Sequence, residues 1–184
     1  MSARRVALLR GINVGGGKKV PMAQLRELFD RLGHGAVRTY VQSGNVVFTA
    51  ADPDATPAQL AAATEQAIEA EFGFPVAVTI RTRDELAAVI DADPFRGIAD
   101  HPSRYHVLFL AAAADPSRLD EVDAAAFEPE RFALRGRELY LWTPEGIGRS
   151  KLAQTLSERR LGVAATARNW RTVTTLLALA DAEQ

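Results

Sequence analysis

Hydrophobic residues in the first half of the chain change period several times, and each change predicts an element. Val6 to Ile12 is a short apolar run ending in glycine-rich loop chemistry, which predicts a buried strand. Pro21 suits a first helical position, and Met22, Leu25, Leu28, Phe29 and Leu32 follow at the spacing of one helix face until Gly33 stops it. Val37 to Gln42 and Asn45 to Thr49 predict two strands hinged on Ser43-Gly44 as a tight hairpin. Thr56-Pro57-Ala58-Gln59 is a capping box with proline at the first helical position; its helix runs to Phe72 and ends at Gly73. Pro75 to Ile80 predicts another strand. A second capping box, Thr82 with Glu85, starts a short helix through Leu86, Val89 and Ile90.

The second half repeats the order without repeating the residues. Tyr105 to Leu110 predicts a strand, Asp115-Pro116 the start of a helix carrying Leu119 and Val122, and Arg131 to Leu134 and Glu138 to Trp142 two strands around Arg135-Gly136-Arg137. Ser150 begins a helix with Leu152 and Leu156 that ends near Gly162, and Val163 to Ala167 predicts a short last strand. Asn169 is an N-cap for a terminal helix with Trp170, Val173, Leu176 and Leu177 on its apolar face. The expected fold is α+β: two ferredoxin-like (βαββαβ) units with a C-terminal helix. The expected division is 1–92 and 104–184, joined by a connector at 93–103 that holds Pro94, Gly97 and Pro102.

Charge and composition narrow the function classes. With 22 Lys plus Arg against 23 Asp plus Glu, net −1, the chain lacks the bulk positive field that usually draws proteins to nucleic acid. Any anion affinity must come from local clusters. No cysteine is present, which excludes disulfides, thiolate metal sites and a cysteine nucleophile and fits a reducing compartment. The apolar stretch ended by Arg10 is too short for a signal-peptide core or a membrane span, so a cytoplasmic location with no membrane contact is expected. The three histidines, His34, His101 and His106, are too scattered for a histidine-rich metal site.

One local cluster is Arg10-Gly11-Ile12-Asn13-Val14-Gly15-Gly16-Gly17-Lys18-Lys19, between a strand and a helix. Glycines let backbone N–H groups turn toward a ligand, a helix N-terminus adds partial positive charge, and Arg10, Lys18 and Lys19 add full charges. It is neither a P-loop nor a GxGxxG fingerprint, and no cofactor is expected from it. In a ferredoxin-like unit strands 1 and 2 run parallel, so this loop and the 42–45 hairpin leave the sheet at one end. Gln42, Ser43, Gly44 and Asn45 are thereby expected beside Arg10, Asn13, Gly15 and Gly16. The plainer reading of Ser43-Gly44-Asn45 is that such residues simply make the turn.

The second cluster pairs Ser150-Lys151 with Arg168-Asn169, two predicted helix starts at one end of the second sheet. Ser150 and Asn169 read equally well as plain N-caps. Lys151 and Arg168 do not, because cations in a first helical turn oppose the macrodipole, and a bound anion would relieve that conflict. Tyr140 and Trp142 alternate with Leu139 and Leu141 and share a sheet face. They read as packing between the units or over the core rather than as a base-stacking platform. For catalysis no Ser-His-Asp order, HExxH, GxSxG or paired-carboxylate motif stands out, and His106 in its apolar strand reads as a core residue.

Several of these stretches together resemble a known family. Arg10-Gly11-Ile12-Asn13-Val14-Gly15-Gly16, Pro21-Met22 with Leu25, Thr39-Tyr40-Val41-Gln42-Ser43-Gly44-Asn45, Ser150-Lys151 and Thr166-Ala167-Arg168-Asn169-Trp170 are similar to the signatures of a bacterial family of uncharacterised proteins, domain of unknown function 1697. The resemblance runs from Arg4 to about Leu179. It departs at Gly15-Gly16-Gly17, where family members often carry two glycines. It implies an α+β fold with ferredoxin-like content in a small soluble bacterial protein, and it brings no established activity, ligand or cofactor. The leading expectation is therefore a binding protein for a phosphate-bearing ligand, a nucleotide or a nucleic acid backbone such as RNA, held by the two clusters. Arg10, Lys18, Lys151 and Arg168 would supply charge, and Asn13, Ser43, Asn45 and Asn169 directed hydrogen bonds. An enzyme acting on a phosphorylated or carboxylated substrate, with Lys151 or Lys18 stabilising charge, and a partner-binding module using Tyr140 and Trp142 remain as alternatives.

Overall fold

A computed structural model describes residues 4–182. The elements run β1 (Arg4–Leu9), α1 (Met22–Arg31), β2 (Gly35–Tyr40), β3 (Asn45–Thr49), α2 (Pro57–Phe72), β4 (Val78–Thr82) and α3 (Arg83–Asp91). They continue with β5 (Tyr105–Leu110), β6 (Arg131–Arg135), β7 (Glu138–Trp142), α4 (Lys151–Thr155), α5 (Glu158–Leu161), β8 (Ala165–Asn169) and α6 (Trp170–Asp181). Two antiparallel four-stranded sheets result, ordered β2-β3-β1-β4 and β6-β7-β5-β8, each with helices packed against it. The α+β class is as the periodicity predicted. The described residues form two compact units, 4–88 with 175–182, and 89–174.

In the first unit both capping boxes close. Thr56 Oγ1 accepts from the Gln59 amide at 3.2 Å while Gln59 Oε1 accepts from the Thr56 amide at 2.9 Å. Thr82 and Glu85 make the same exchange at 3.0 and 2.8 Å. Each box satisfies amides that a helix start leaves without intrahelical partners. The core lies between the sheet and α1 and α2. Ala7, Leu9, Val46, Phe48 and Ile80 meet Leu25, Leu28, Phe29, Leu60 and Ile68, all buried. Phe29 and Phe48 pack edge to face with centroids 5.0 Å apart, and the His34 ring lies 4.6 Å from Phe48.

The second unit is built on the same plan, and its backbone hydrogen bonds repeat those of the first. The Leu9 amide donates to Gly44 and the Leu110 amide to Arg137; the Arg10 amide donates to Ala77 and the Ala111 amide to Ala164. A helix glutamate holds the first amide of each edge strand: Glu65 takes the Val78 N–H at 2.8 Å and Glu158 the Ala165 N–H at 2.7 Å. Leu110, Leu139 and Leu141 form the second core with Leu152, Leu156 and Leu161.

The helix expected after Asp115-Pro116 is replaced by two 3-10 turns, Pro116–Leu119 and Ala124–Phe127. The Asp115 and Asp123 carboxylates accept from the amides two residues on, at 3.0 and 3.1 Å, and each closes a tight turn. Leu119 and Val122 still reach the core. Their spacing of three serves a 3-10 turn as well as an α-helix, so periodicity alone could not separate the two. The last strand also runs to Asn169, beyond the predicted Ala167.

On the opposite face of the second sheet, Tyr105, Tyr140 and Trp142 are buried. The Tyr140 hydroxyl donates to the Val89 carbonyl at 2.7 Å, the Tyr105 hydroxyl to Asp93 at 2.6 Å, and Tyr105 stacks on Trp170 at 4.7 Å. These rings are packing groups within their unit, so the exposed aromatic patch that a partner-binding module would need is not formed by them.

His34 and His106 are both held below the usual histidine range by burial. A folded-state value below the unfolded 6.5 means that only the unfolded chain gains these protons as pH falls. Their contribution to stability is complete above about 6.5 and shrinks below it. The urea midpoint should therefore drop between about pH 7.5 and about pH 5.5, above the range where carboxylates titrate. An unchanged midpoint would refute this.

Candidate functional site

Asn13 organises the N-terminal loop. It sits in the left-handed region, φ 55°, which asparagine tolerates better than most residues. Its amide nitrogen donates to the Val20 carbonyl at 2.9 Å and the Gln42 carbonyl at 2.8 Å, and its Oδ1 accepts from the Val20 amide at 2.9 Å. One side chain thus closes the glycine loop on itself and fastens it to the hairpin. Those bonds occupy both N–H donors, so Asn13 shapes the site rather than reaching out to a ligand.

The hairpin is equally constrained. Gly44 has φ 81°, and a Cβ there would lie 2.7 Å from the Leu9 Cβ and 2.8 Å from Ile12 Cδ1. Buried Asn45 donates to the Tyr40 carbonyl and the Ser43 hydroxyl at 2.9 and 3.0 Å. These side-chain bonds hold the 40–45 turn shut, the plainer of the two sequence readings. Val41 takes φ 50°, rare for a β-branched residue, and stands 50% exposed; Val14 on the facing loop is 60% exposed.

Between loop and hairpin lies a concavity of about 430 Å³, lined by Asn13, Gly16, Gly17, Lys19, Val20, Pro21 and Gln42. Helix α1 starts at its edge, where Pro21 is the N-cap and supplies no side-chain hydrogen bond, and no acidic residue occupies the first turn. Among the described residues, the Gly15, Gly16 and Lys19 amides take no backbone acceptor. The cation lining the concavity is Lys19. Lys18 Nζ is tied to the Pro75 carbonyl at 2.6 Å, and Arg10 is exposed at the end of β1 with its amide bonded to Ala77. The sequence reading names Lys18 as the site lysine, whereas the residue lining this concavity is Lys19; nothing in a Lys-Lys pair tells which one the loop turns inward.

In the second cluster Ser150, Arg168 and Asn169 make hydrogen bonds to nearby residues of their own segments. Ser150 caps α4, its Oγ accepting from the Ala153 amide at 2.8 Å, and Asn169 caps α6, its Oδ1 accepting from Thr172 at 2.9 Å. The negative charge that a helix start attracts comes from Glu130, whose Oε2 lies 3.4 Å from the Leu152 amide. Exposed Lys151 belongs to α4, packed on the leucine face. Arg168 pairs in register with Val107, on the other face of the sheet. Arg168 is 7% exposed and donates to Thr166 Oγ1 and the Ala167 carbonyl at 2.8 and 2.9 Å. Burial lowers its pKa to about 10, and it stays charged at neutral pH. It lies in a strand, not in a helix's first turn, so the dipole conflict inferred for it does not arise. No group of three or more metal-ligating side chains occurs among the described residues, and no described helix is long and apolar enough to cross a membrane.

Two ferredoxin-like units with a glycine loop beside a hairpin define a small α+β protein of a recognisable kind. A family model described as "Protein of unknown function (DUF1697)" matches residues 2–140, and the chain belongs to that family. The fold is similar to that of the conserved bacterial protein SP0830 from Streptococcus pneumoniae, with TM-score 0.71 and 24% identity over 97% of this chain and 98% of that one. No curated protein matches the chain.

Because Asn13 makes three framework bonds, Asn13→Ala should lower unfolding stability by about 1–3 kcal/mol. Urea denaturation measures this; a variant as stable as the parent would show that the loop does not depend on that side chain.

Proposed function

We propose that the chain is a binding protein for a phosphate-bearing ligand, a nucleotide or an RNA backbone, taken up at the concavity of the N-terminal unit. The observation that carries this reading is the meeting of three anion-attracting features at one hollow: the Lys19 ammonium, the α1 start with no side-chain cap, and the glycine amides. The hollow's volume falls in the range of small-ligand sites. Gly16 and Gly17 allow close backbone approach, Lys19 and Arg10 supply charge, and exposed Val14 and Val41 offer apolar contact to a base or sugar. Ser43, Gly44, Asn45 and Asn13 contribute by fixing the frame. Ser150, Lys151, Arg168 and Asn169 have no part in this narrower reading. A cytoplasmic location belongs with it, since the ligand class is abundant there and the chain has no cysteine.

The reading predicts which nuclei respond. In an NMR titration with a nucleoside triphosphate or a short RNA at low salt, the amides of 15–19 and Gln42 should shift, and Lys19→Glu should weaken those shifts about tenfold or more in affinity. Added salt should weaken them too. Shifts that bypass this loop, or survive Lys19→Glu, would defeat the reading.

A further inference from the structure

The end of the second unit that corresponds to the glycine loop, where β5 stops and β8 starts, carries a different chemistry. Ala111 to Ala114 replace the glycine-rich segment there, and the first 3-10 turn stands where α1 begins in the first unit. Beside that turn lies a larger hollow of about 620 Å³, and every residue lining it is polar or charged. Small-ligand sites are usually mostly apolar, so a hollow of this composition suits an occupant that is itself highly charged.

Its positive charge comes from Arg118, Arg159 and Arg160, against one lining carboxylate, Glu121. Two of them are held in place reciprocally. Arg118 Nη1 reaches the Arg160 carbonyl and Arg160 Nη1 the Arg118 carbonyl, both at 3.5 Å. The Arg118 guanidinium lies across Gly162, where a Cβ would stand 2.8 Å from its Cζ. Each bond is at the outer limit of hydrogen-bond length and uses one of the five N–H donors of its guanidinium. Neutralisation inside the protein is slight. Glu121, 88% exposed, stands 3.8 Å from Arg160, and Asp115 feels Arg118 only after its hydrogen bonds from Ser117. Among the described residues Arg159 has no carboxylate partner. The Ser157 hydroxyl is at the start of α5 and makes no capping bond.

We propose that this hollow is a second anion site, for a compact ligand bearing two or more phosphate groups, gripped by Arg118, Arg159 and Arg160. Three guanidinium forks match several phosphate oxygens in planar, paired hydrogen bonds that a single ammonium cannot make. One phosphate would engage only part of the set, so affinity should rise with the number of linked phosphates.

The test uses the full chain carrying Lys19→Glu, which reverses the charge of the lysine lining the first concavity, in calorimetric titrations with inorganic tripolyphosphate, orthophosphate and a nucleoside triphosphate. Tripolyphosphate should bind saturably and at least about tenfold more tightly than orthophosphate. Arg159→Glu and Arg118→Gln should each weaken it at least about tenfold, with unchanged circular dichroism. A nucleoside triphosphate that matches tripolyphosphate would identify a nucleotide's phosphate tail as the group held, and one that binds more weakly would identify free polyphosphate; both support the site. Absence of saturable tripolyphosphate binding, or affinity indifferent to Arg159→Glu, would overturn it.

Discussion

The hydrogen bonds of one carboxamide decide the shape of the N-terminal site. Asn13 ties the glycine loop to Val20 on one side and to the hairpin carbonyl of Gln42 on the other. Without that link, a loop rich in glycine would lose its conformation to chain entropy, because glycine gains the most freedom when released. With it, the stretch from Val14 to Lys19 is a closed arc, in which the Gly17 amide turns back to the Val14 carbonyl at 3.3 Å. The Asn13 amide also bonds to the Lys18 carbonyl at 3.1 Å, and the Lys18 side chain to Pro75, so both ends of the arc are pinned. A loop ordered before binding spares its ligand the cost of ordering it.

The two units show how far one backbone plan constrains chemistry. Their sheets share strand order, the amide bonds that follow the first strand of each, and the glutamate that anchors each edge strand. What hangs on the equivalent end is free to differ. The first unit carries a long glycine arc with a lysine; the second carries a short alanine segment, a proline-started turn and arginines. A lysine ammonium is a compact point charge that adapts to its ligand, whereas guanidinium forks demand geometry. The same scaffold therefore carries two unlike sets of cations, and architecture alone assigns a function to neither.

Much of the fold was legible because local rules act within a few residues. Both capping boxes, the Ser43-Gly44 turn and the Gly73 and Gly162 helix ends follow from residue type and spacing. Topology then brought Asn13 and Gln42 together from 29 positions apart, because parallel first and second strands put their exits at one end. Sequence and structure part where a rule has two physical outcomes. Asp115-Pro116 with apolar residues three apart fits a 3-10 turn and an α-helix alike. Lys151 and Arg168 share a sheet end, but strand alternation sends Arg168 to the far face, and two extra residues at the end of β8 decided that. Arg118, Arg159 and Arg160 carry no signal in the sequence, since arginines scattered across a turn and a short helix look like an ordinary solvated surface; only their convergence around one hollow distinguishes them.

The residues that resist a purely structural account are Val14 and Val41. Water contact gains nothing for a valine, and the left-handed backbone at Val41 carries strain that asparagine or glycine would avoid. Ser43, Gly44 and Asn45 already close the turn, so stability does not require a valine there. Strain of this kind persists where the surrounding bonds over-determine it, and the Asn13 and Asn45 carboxamides do so on either side of Val41. Val14 and Val41 are chain neighbours of Asn13 and Gln42, which line the first hollow, so a ligand with an apolar face as well as a charged group would find an exposed valine next to each of those residues. Phosphate alone has no such face. On the reading proposed above, the valines suit a nucleotide-like ligand at the first hollow, while the polar and charged residues lining the second suit a ligand of charge alone.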